Sequence, residues 1–281
     1  MSKLHAAPGI LFVAGLLALG CVVSPEDAAV DGDLSVPLET TEGPMGMNGL
    51  LPVDVWHFPN RVALWELGQG ALLDANNELV STDLTSTPGG SSVLEYVIRC
   101  ALPEGVAVMV GKKALFGAFG LAPEWPERAL DSGEQRWVTA CLAQHINATG
   151  VHVPIMMTGG HAALVAQPWA TPELFTVDES TMFGNLFAGT LPPNPIDPPG
   201  IFACTERHLD AACGADAEYW LVQRVCAGSA VCGLTPLGSC DEHPGCTMTE
   251  KGHWSCSGFT QTIRVSLKPG DAQAEYELCQ F

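Results

Sequence analysis

Between residues 91 and 102, Val93, Leu94, Val97, Ile98 and Ala101 recur at intervals of three and four, which predicts an amphipathic helix. Pro88 and the Gly89-Gly90 pair precede the run and Pro103 follows it, so both ends carry helix-breaking residues. A second helix is predicted over 133–149, with Ser132 and Gln135 placed to form a capping box and Gly150 placed to terminate it. Its buried stripe would hold Trp137 or Val138, Cys141, Leu142, His145 and Ile146. The pattern then changes period. Val151, Val153 and Ile155 alternate with His152 and Pro154, predicting a strand that runs up to Gly159-Gly160. Extended pieces are expected at 174–177 and 182–187, and a last strand at 260–267 around the β-favouring Thr262, Ile263 and Val265.

Two stretches lack this patterning. Residues 22–48 are acidic and rich in Pro, Gly, Ser and Thr, too poor in apolar side chains to offset their own ordering entropy, and they read as a flexible tether. Structure is expected to begin near Leu51. The run LPPNPIDPPG at 191–200 holds five prolines that no helix or strand can cross, so it is taken as an internal boundary. The fold class expected is α+β: a mixed helix/strand core at 51–195, followed by a disulfide-rich, loop-rich region at 201–281.

At the extreme N-terminus, Lys3 is followed by an apolar run from Ile10 to Leu19 and then by Gly20 and Cys21. Charge, apolar heart and small residue in that order are the layout of a secretory signal. Ala18-Leu19-Gly20-Cys21 resembles the lipobox of bacterial lipoproteins, with Ala and Leu where the commonest pattern has Leu and a small residue. That resemblance implies removal of residues 1–20 and attachment of a diacylglycerol to the Cys21 thiol, with residues 21–50 as a lipidated tether. A plain signal cut elsewhere and a retained membrane anchor are the duller readings. Pro8, Gly9, Gly15 and the shortness of the apolar heart weigh against the anchor.

Cysteine parity points the same way. The chain has eleven cysteines. Setting Cys21 aside leaves Cys100, Cys141, Cys204, Cys213, Cys226, Cys232, Cys240, Cys246, Cys256 and Cys279, an even set that fits the oxidising medium outside the cytoplasm. The last eight are expected to pair among themselves, in any of 105 ways. Cys100 and Cys141 then remain, each on the apolar stripe of a predicted helix, and are expected to join the two helices.

Charge narrows the partners. With 31 acidic and 12 basic residues the chain carries a formal −19, which repels nucleic acid and leaves no polybasic second contact with a membrane. The membrane partner expected is the bilayer, reached through the lipid on Cys21. Asp31-Gly-Asp33 is the nearest approach to a calcium loop and falls in the tether.

Candidate chemistry is sparse. His243, Cys246, His253 and Cys256 offer four zinc-type ligands at H-x2-C-x6-H-x2-C spacing, but exported thiols are more often oxidised than metallated. His145, His152 and His161 fall on a predicted helix, strand and loop, and are read as separate; Asp178 and Glu179 are the carboxylates that would have to converge with them to make a site. No G-x-S-x-G elbow, H-E-x-x-H helix or phosphate-binding glycine loop occurs. No catalytic residue, metal or cofactor is therefore assigned.

The segments YVIRCALP (96–103), RWVTACLAQHINATGVHV (136–153) and GNLF (184–187) resemble cysteine-containing lipoproteins of myxobacteria. That group carries no reaction to transfer. Val22 after the lipid cysteine, where inner-membrane lipoproteins carry Asp, implies the outer membrane. The function expected is an anchored envelope protein with a binding or structural role, and the alternative is an exported hydrolase without a recognisable motif.

Overall fold

The computed structural model describes residues 45–81, 83–165, 172–188, 200–228 and 232–281. Cys21, nearly all of the expected tether and most of the proline run lie outside them. In chain order the elements are β1 (Met45–Met47), α1 (Pro52–Trp56), α2 (Phe58–Gly68), α3 (Gly90–Ala101), β2 (Ala107–Val110), β3 (Lys113–Phe116), α4 (Ser132–Gln144), β4 (Pro154–Gly159) and α5 (Ala162–Val165). After these come β5 (Val177–Gly184), β6 (Ile201–Thr205), α6 (Arg207–Cys213), α7 (Ala217–Cys226), β7 (Leu234–Ser239), β8 (Cys246–Met248), β9 (Trp254–Cys256), β10 (Ile263–Leu267) and α8 (Pro269–Glu275). The fold is α+β.

Its centre is a six-stranded mixed sheet in the order β1-β4-β10-β5-β6-β7, with two-stranded β2-β3 and β8-β9 ribbons beside it. All neighbours in the large sheet are antiparallel except β6 and β7, which run parallel and are connected through α6 and α7. The β10 strand lies between β4 and β5, and β5 pairs with β6. Strands from both sides of the proline run thus share one sheet, and the described residues form a single compact unit. The run expected to separate 51–195 from 201–281 does not interrupt the sheet: β5, which precedes it, is paired on its two edges by β10 and β6, which follow it.

Order also begins earlier than residue 51. Met45, Gly46 and Met47 pair with Met156, Ile155 and Pro154, and Asn48 and Leu50 are buried. Asn48 Oδ1 accepts the Val153 N–H at 2.9 Å, which ties the start of the described chain to the entry of β4. That entry is later than alternation suggested: Val151 and His152 are exposed and pairing starts at Pro154. A single strand, β5, crosses the interval between the two extended pieces expected around 174–187.

The two anticipated helices are present. On α3, Val93, Val97, Ile98, Cys100 and Ala101 are buried on one side, as their spacing requires. The N-terminus of α4 is capped one residue earlier than the Ser132/Gln135 reading. Asp131 Oδ1 accepts from the N–H groups of Gly133 and Glu134 at 2.8 Å, and Glu134 Oε2 accepts the Asp131 N–H at 2.9 Å. A carboxylate is the stronger acceptor for orphan amides and it also faces the positive end of the helix dipole. α4 stops at Gln144 rather than 149, because the His145 carbonyl accepts from Gly49 and Leu50 while Asn147 donates to Leu50. This long-range pairing replaces a further helical turn.

Cys100 and Cys141 meet across the α3–α4 contact with Cα atoms 5.9 Å apart and their sulfurs bonded. The C-terminal eight pair as Cys204–Cys240, Cys213–Cys279, Cys226–Cys232 and Cys246–Cys256. One face of the sheet, with Ile155, Met157, Met182, Ile201, Ala203, Ile263, Val265 and Leu267, packs into the main core with α3, α4 and α7. On the opposite face Phe183, Cys204, Cys240, Trp254 and Cys256 form a second, smaller core. No helix among the described residues is long and apolar enough to cross a membrane.

Candidate functional site

A β-bulge decides which polar side chains reach the second face of the sheet. Opposite β10, Val265 pairs with Ser180 and Ser266 with Asp178, so Glu179 is the extra residue. An extra residue shifts the alternation by one and re-aims the neighbouring side chains. Ser180 and Glu179 consequently both turn toward the helices, and Asp178 turns to the opposite face.

Glu179 is fully enclosed there. Its Oε2 accepts from Arg224 Nη2 at 2.8 Å and from Ser180 Oγ at 3.1 Å, and its Oε1 accepts from the Tyr276 hydroxyl at 2.7 Å. Arg224 also donates through Nη1 to the Ile146 carbonyl and through Nε to the Tyr276 oxygen. Burial opposes the Arg224 charge, but Glu179, Tyr276 and Glu275 outweigh it and raise its pKa. Burial likewise pushes the Tyr276 hydroxyl well above its ordinary value. Both oxygens of the Glu179 carboxylate have structural partners, so this cluster locks β5 to α7 and to the end of α8.

The second face is different. Beyond the small core it carries Thr181 and Asp178 from β5, Arg264 and Ser266 from β10, and Glu206 immediately after β6. Three donors converge on one oxygen of the buried Glu206: Thr181 Oγ1 at 2.5 Å, Trp254 Nε1 at 2.8 Å and Arg264 Nε at 2.9 Å, all on Oε1. Asp178 accepts from Ser266 Oγ at 2.8 Å, and its backbone N–H donates to His208 Nδ1 at 3.1 Å. Over this face lies the β8–β9 ribbon, held by Cys246–Cys256 and by the Trp254 hydrogen bond to Glu206. Cys204–Cys240 fastens the chain just before the ribbon to β6. Where ribbon and sheet part, a cavity of about 240 Å³ opens, lined by Asp178, Glu206, Arg207, Asp241, Met248, Gly252, Trp254 and Arg264. This cleft is the candidate site.

The residues singled out in the sequence do not converge on one another. Cys246 and Cys256 are bonded to each other, so the zinc-type spacing supplies no thiolate. His243 Nδ1 accepts the Gly245 N–H at 3.0 Å in a local turn. Burial lowers the pKa of His253, assisted by Arg264 and Lys251. His145 is wholly buried between the rings of Tyr96 and Phe119, with Nδ1 2.8 Å from the Cys141 carbonyl. Burial drives its pKa down to about 3. Cys100, Cys141 and His145 have metal-like spacing, but both sulfurs belong to the helix-joining disulfide. His152 sits against Gly49, where an added Cβ would lie 2.6 Å from Nδ1. His161 packs edge-on to Trp137. Asp178 and Glu179, adjacent in sequence, lie on opposite faces of the sheet, and the bulge decides which of them takes which face.

Glu206, Arg207, Asp241 and Arg264 were not singled out by sequence reasoning. The one local signal was Arg264, a charge set among Ile263, Val265 and Leu267 in a β-favouring run, which marks the polar side of a strand. No protein-family model matches the chain, and neither a curated protein nor a solved structure matches it.

Proposed function

We propose that the protein is an exported, lipid-anchored protein of the cell envelope, at the outer membrane, whose folded part binds a small polar ligand in the cleft between the sheet and the β8–β9 ribbon. The observation that carries the location is the pairing of all ten cysteines among the described residues into five disulfides, a state that the reducing cytosol does not sustain. The anchor rests on the Ala18-Leu19-Gly20-Cys21 box. A diacylglycerol supplies two acyl chains, whereas a single chain holds a protein to a bilayer only marginally.

Binding is favoured by the way the cleft is built. Its floor stands on three strands or strand ends of one sheet, and two of its carboxylates, Asp178 and Glu206, are oriented by hydrogen bonds from the buried Ser266, Thr181 and Trp254. Sites held on rigid elements are suited to recognition, because little ordering entropy remains to be lost on binding. The test is an NMR titration of the folded protein with mixtures of amino acids, sugars, nucleotides and inorganic anions. Shifts confined to Glu206, Trp254, Arg264 and their neighbours support the reading. A panel that leaves these residues unmoved contradicts it.

A further inference from the structure

We propose that the cleft selects a zwitterion, specifically a free α-amino acid with an apolar side chain. The proposal rests on the binding reading above and names its ligand class. Its basis is the difference between charges already engaged in the cleft and charges left open to it.

Arg264 spends Nε on Glu206, which fixes the plane of the guanidinium. Its outer edge meets one weak acceptor, Met248 Sδ, 3.9 Å from Nη2. The terminal nitrogens of a guanidinium held in this way form a fork that suits a carboxylate. Arg207 lies at the rim of the same cavity, exposed and without an ion pair among the described residues. On the acidic side, all three hydrogen bonds to Glu206 go to Oε1, and none uses Oε2. Asp241 is exposed at the rim and has no ion pair among the described residues. Asp178, the third carboxylate, is occupied by Ser266 and lies against His208.

The lining therefore carries two guanidinium groups against three carboxylates, with Arg264 and Glu206 already paired to each other, so a ligand meets both signs in a chain whose formal charge is −19. A purely anionic ligand would gain the arginines but meet Glu206 and Asp241, and a purely cationic one would meet the reverse. A molecule that carries carboxylate and ammonium on neighbouring atoms satisfies both sets at once. The remaining wall is apolar, formed by Trp254 and Met248, and suits an aliphatic or thioether side chain. The volume, about 240 Å³, lies below the ~300–1,000 Å³ typical of drug-sized ligands, which favours a single amino acid over a longer peptide.

The experiment is calorimetric titration of the oxidised protein with L-leucine and L-methionine, beside N-acetyl-leucine, which lacks the ammonium, and leucinamide, which lacks the carboxylate. We expect saturable binding of leucine or methionine and at least tenfold weaker binding of both derivatives. Arg264→Gln should weaken leucine at least tenfold. Should that variant fail to fold, Arg207→Gln and Asp241→Asn, both on the exposed rim, should each weaken leucine several-fold without changing thermal stability. N-acetyl-leucine or leucinamide binding as tightly as leucine would overturn the zwitterion assignment while leaving a ligand cleft in place. No binding of either amino acid at 10 mM would overturn it outright, and the NMR mixtures would then decide separately whether the cleft binds anything.

Discussion

Arg224 Nη2 donates to Glu179 Oε2 across 2.8 Å, with both side chains only 1% exposed. This pair exists because a bulge in β5 turns a carboxylate inward, and it is completed by Tyr276 and the Ile146 carbonyl. Removing one partner of a buried pair leaves an uncompensated charge, which typically costs about 3–5 kcal/mol. Arg224→Ala should lose stability on that scale in urea unfolding. The double variant Arg224→Met with Glu179→Leu should lose clearly less. Equal losses in both would mean that the site matters for its volume and not for its charge.

His145 supplies a pH dependence with a definite sign. Its folded pKa, about 3, lies below the unfolded value near 6.5, so the unfolded chain binds the proton first. Stability should therefore be highest above pH 6.5 and fall as pH drops from 6.5 toward 3, by up to ~1.4 kcal/mol per pH unit. The groups that face the ring are Tyr96, Phe119, the two disulfide sulfurs and, at longer range, Arg99, whose charge pushes the same way. In His145→Phe this contribution disappears. The stability difference between wild type and variant should change between pH 5 and 6.5 and level off above it. A difference that stays flat across that interval would contradict the assignment.

The Cys100–Cys141 bridge closes a loop with a sequence separation of 41. The chain-entropy account gives about 4 kcal/mol for a loop of that size. Replacing both residues by Ala should lower the melting temperature by several degrees or more, with the other four disulfides still mapped in their native pairs. Scrambled pairing in that variant would instead assign the bridge a role in directing oxidation.

Two disulfides of the ribbon region should reduce as a coupled unit. The sulfurs of Cys204, Cys246 and Cys256 lie within 4.8 Å of one another, and of these only Cys246 is partly exposed. A dithiol reductant that attacks Cys246 Sγ releases the Cys256 thiolate. That thiolate can attack Cys204 Sγ, forming Cys204–Cys256 and releasing Cys240 as thiolate. Limited reduction, acid quench and peptide mapping should detect the Cys204–Cys256 species. In the Cys246→Ala/Cys256→Ala variant, Cys204–Cys240 should resist the same treatment. Independent reduction of the two bridges would show that their contact has no chemical consequence.

Legibility in the sequence depended on the range of each signal. α3 and α4 were readable because their signals are local: apolar spacing, Pro103 as a stop, and a hydroxyl cap read at Ser132, one residue past the Asp131 that caps α4. The Cys100–Cys141 bridge was readable from those two stripes and from parity. The shared sheet was not readable, since nothing near Ile263 says that it pairs with Gly159 on one side and Met182 on the other. The proline run misled for the same reason, a chain break in local structure being no break in the ladder. The cleft was hidden by the bulge at Glu179, because strict alternation would send Asp178 and Glu179 to the wrong faces. Glu206 and Asp241 lie outside strands and become partners of one cavity only once the β8–β9 ribbon is pinned over the sheet.

The central claim, an oxidised protein held to the envelope by a lipid on Cys21, is tested most directly by intact mass and peptide mapping of the protein extracted from membranes under thiol-blocking conditions. The account predicts a mature chain beginning at Cys21 with its thiol acylated, no alkylated cysteine, and the pairs Cys100–Cys141, Cys204–Cys240, Cys213–Cys279, Cys226–Cys232 and Cys246–Cys256. A chain that starts elsewhere without acyl mass, or one whose cysteines are alkylated as free thiols, would contradict it.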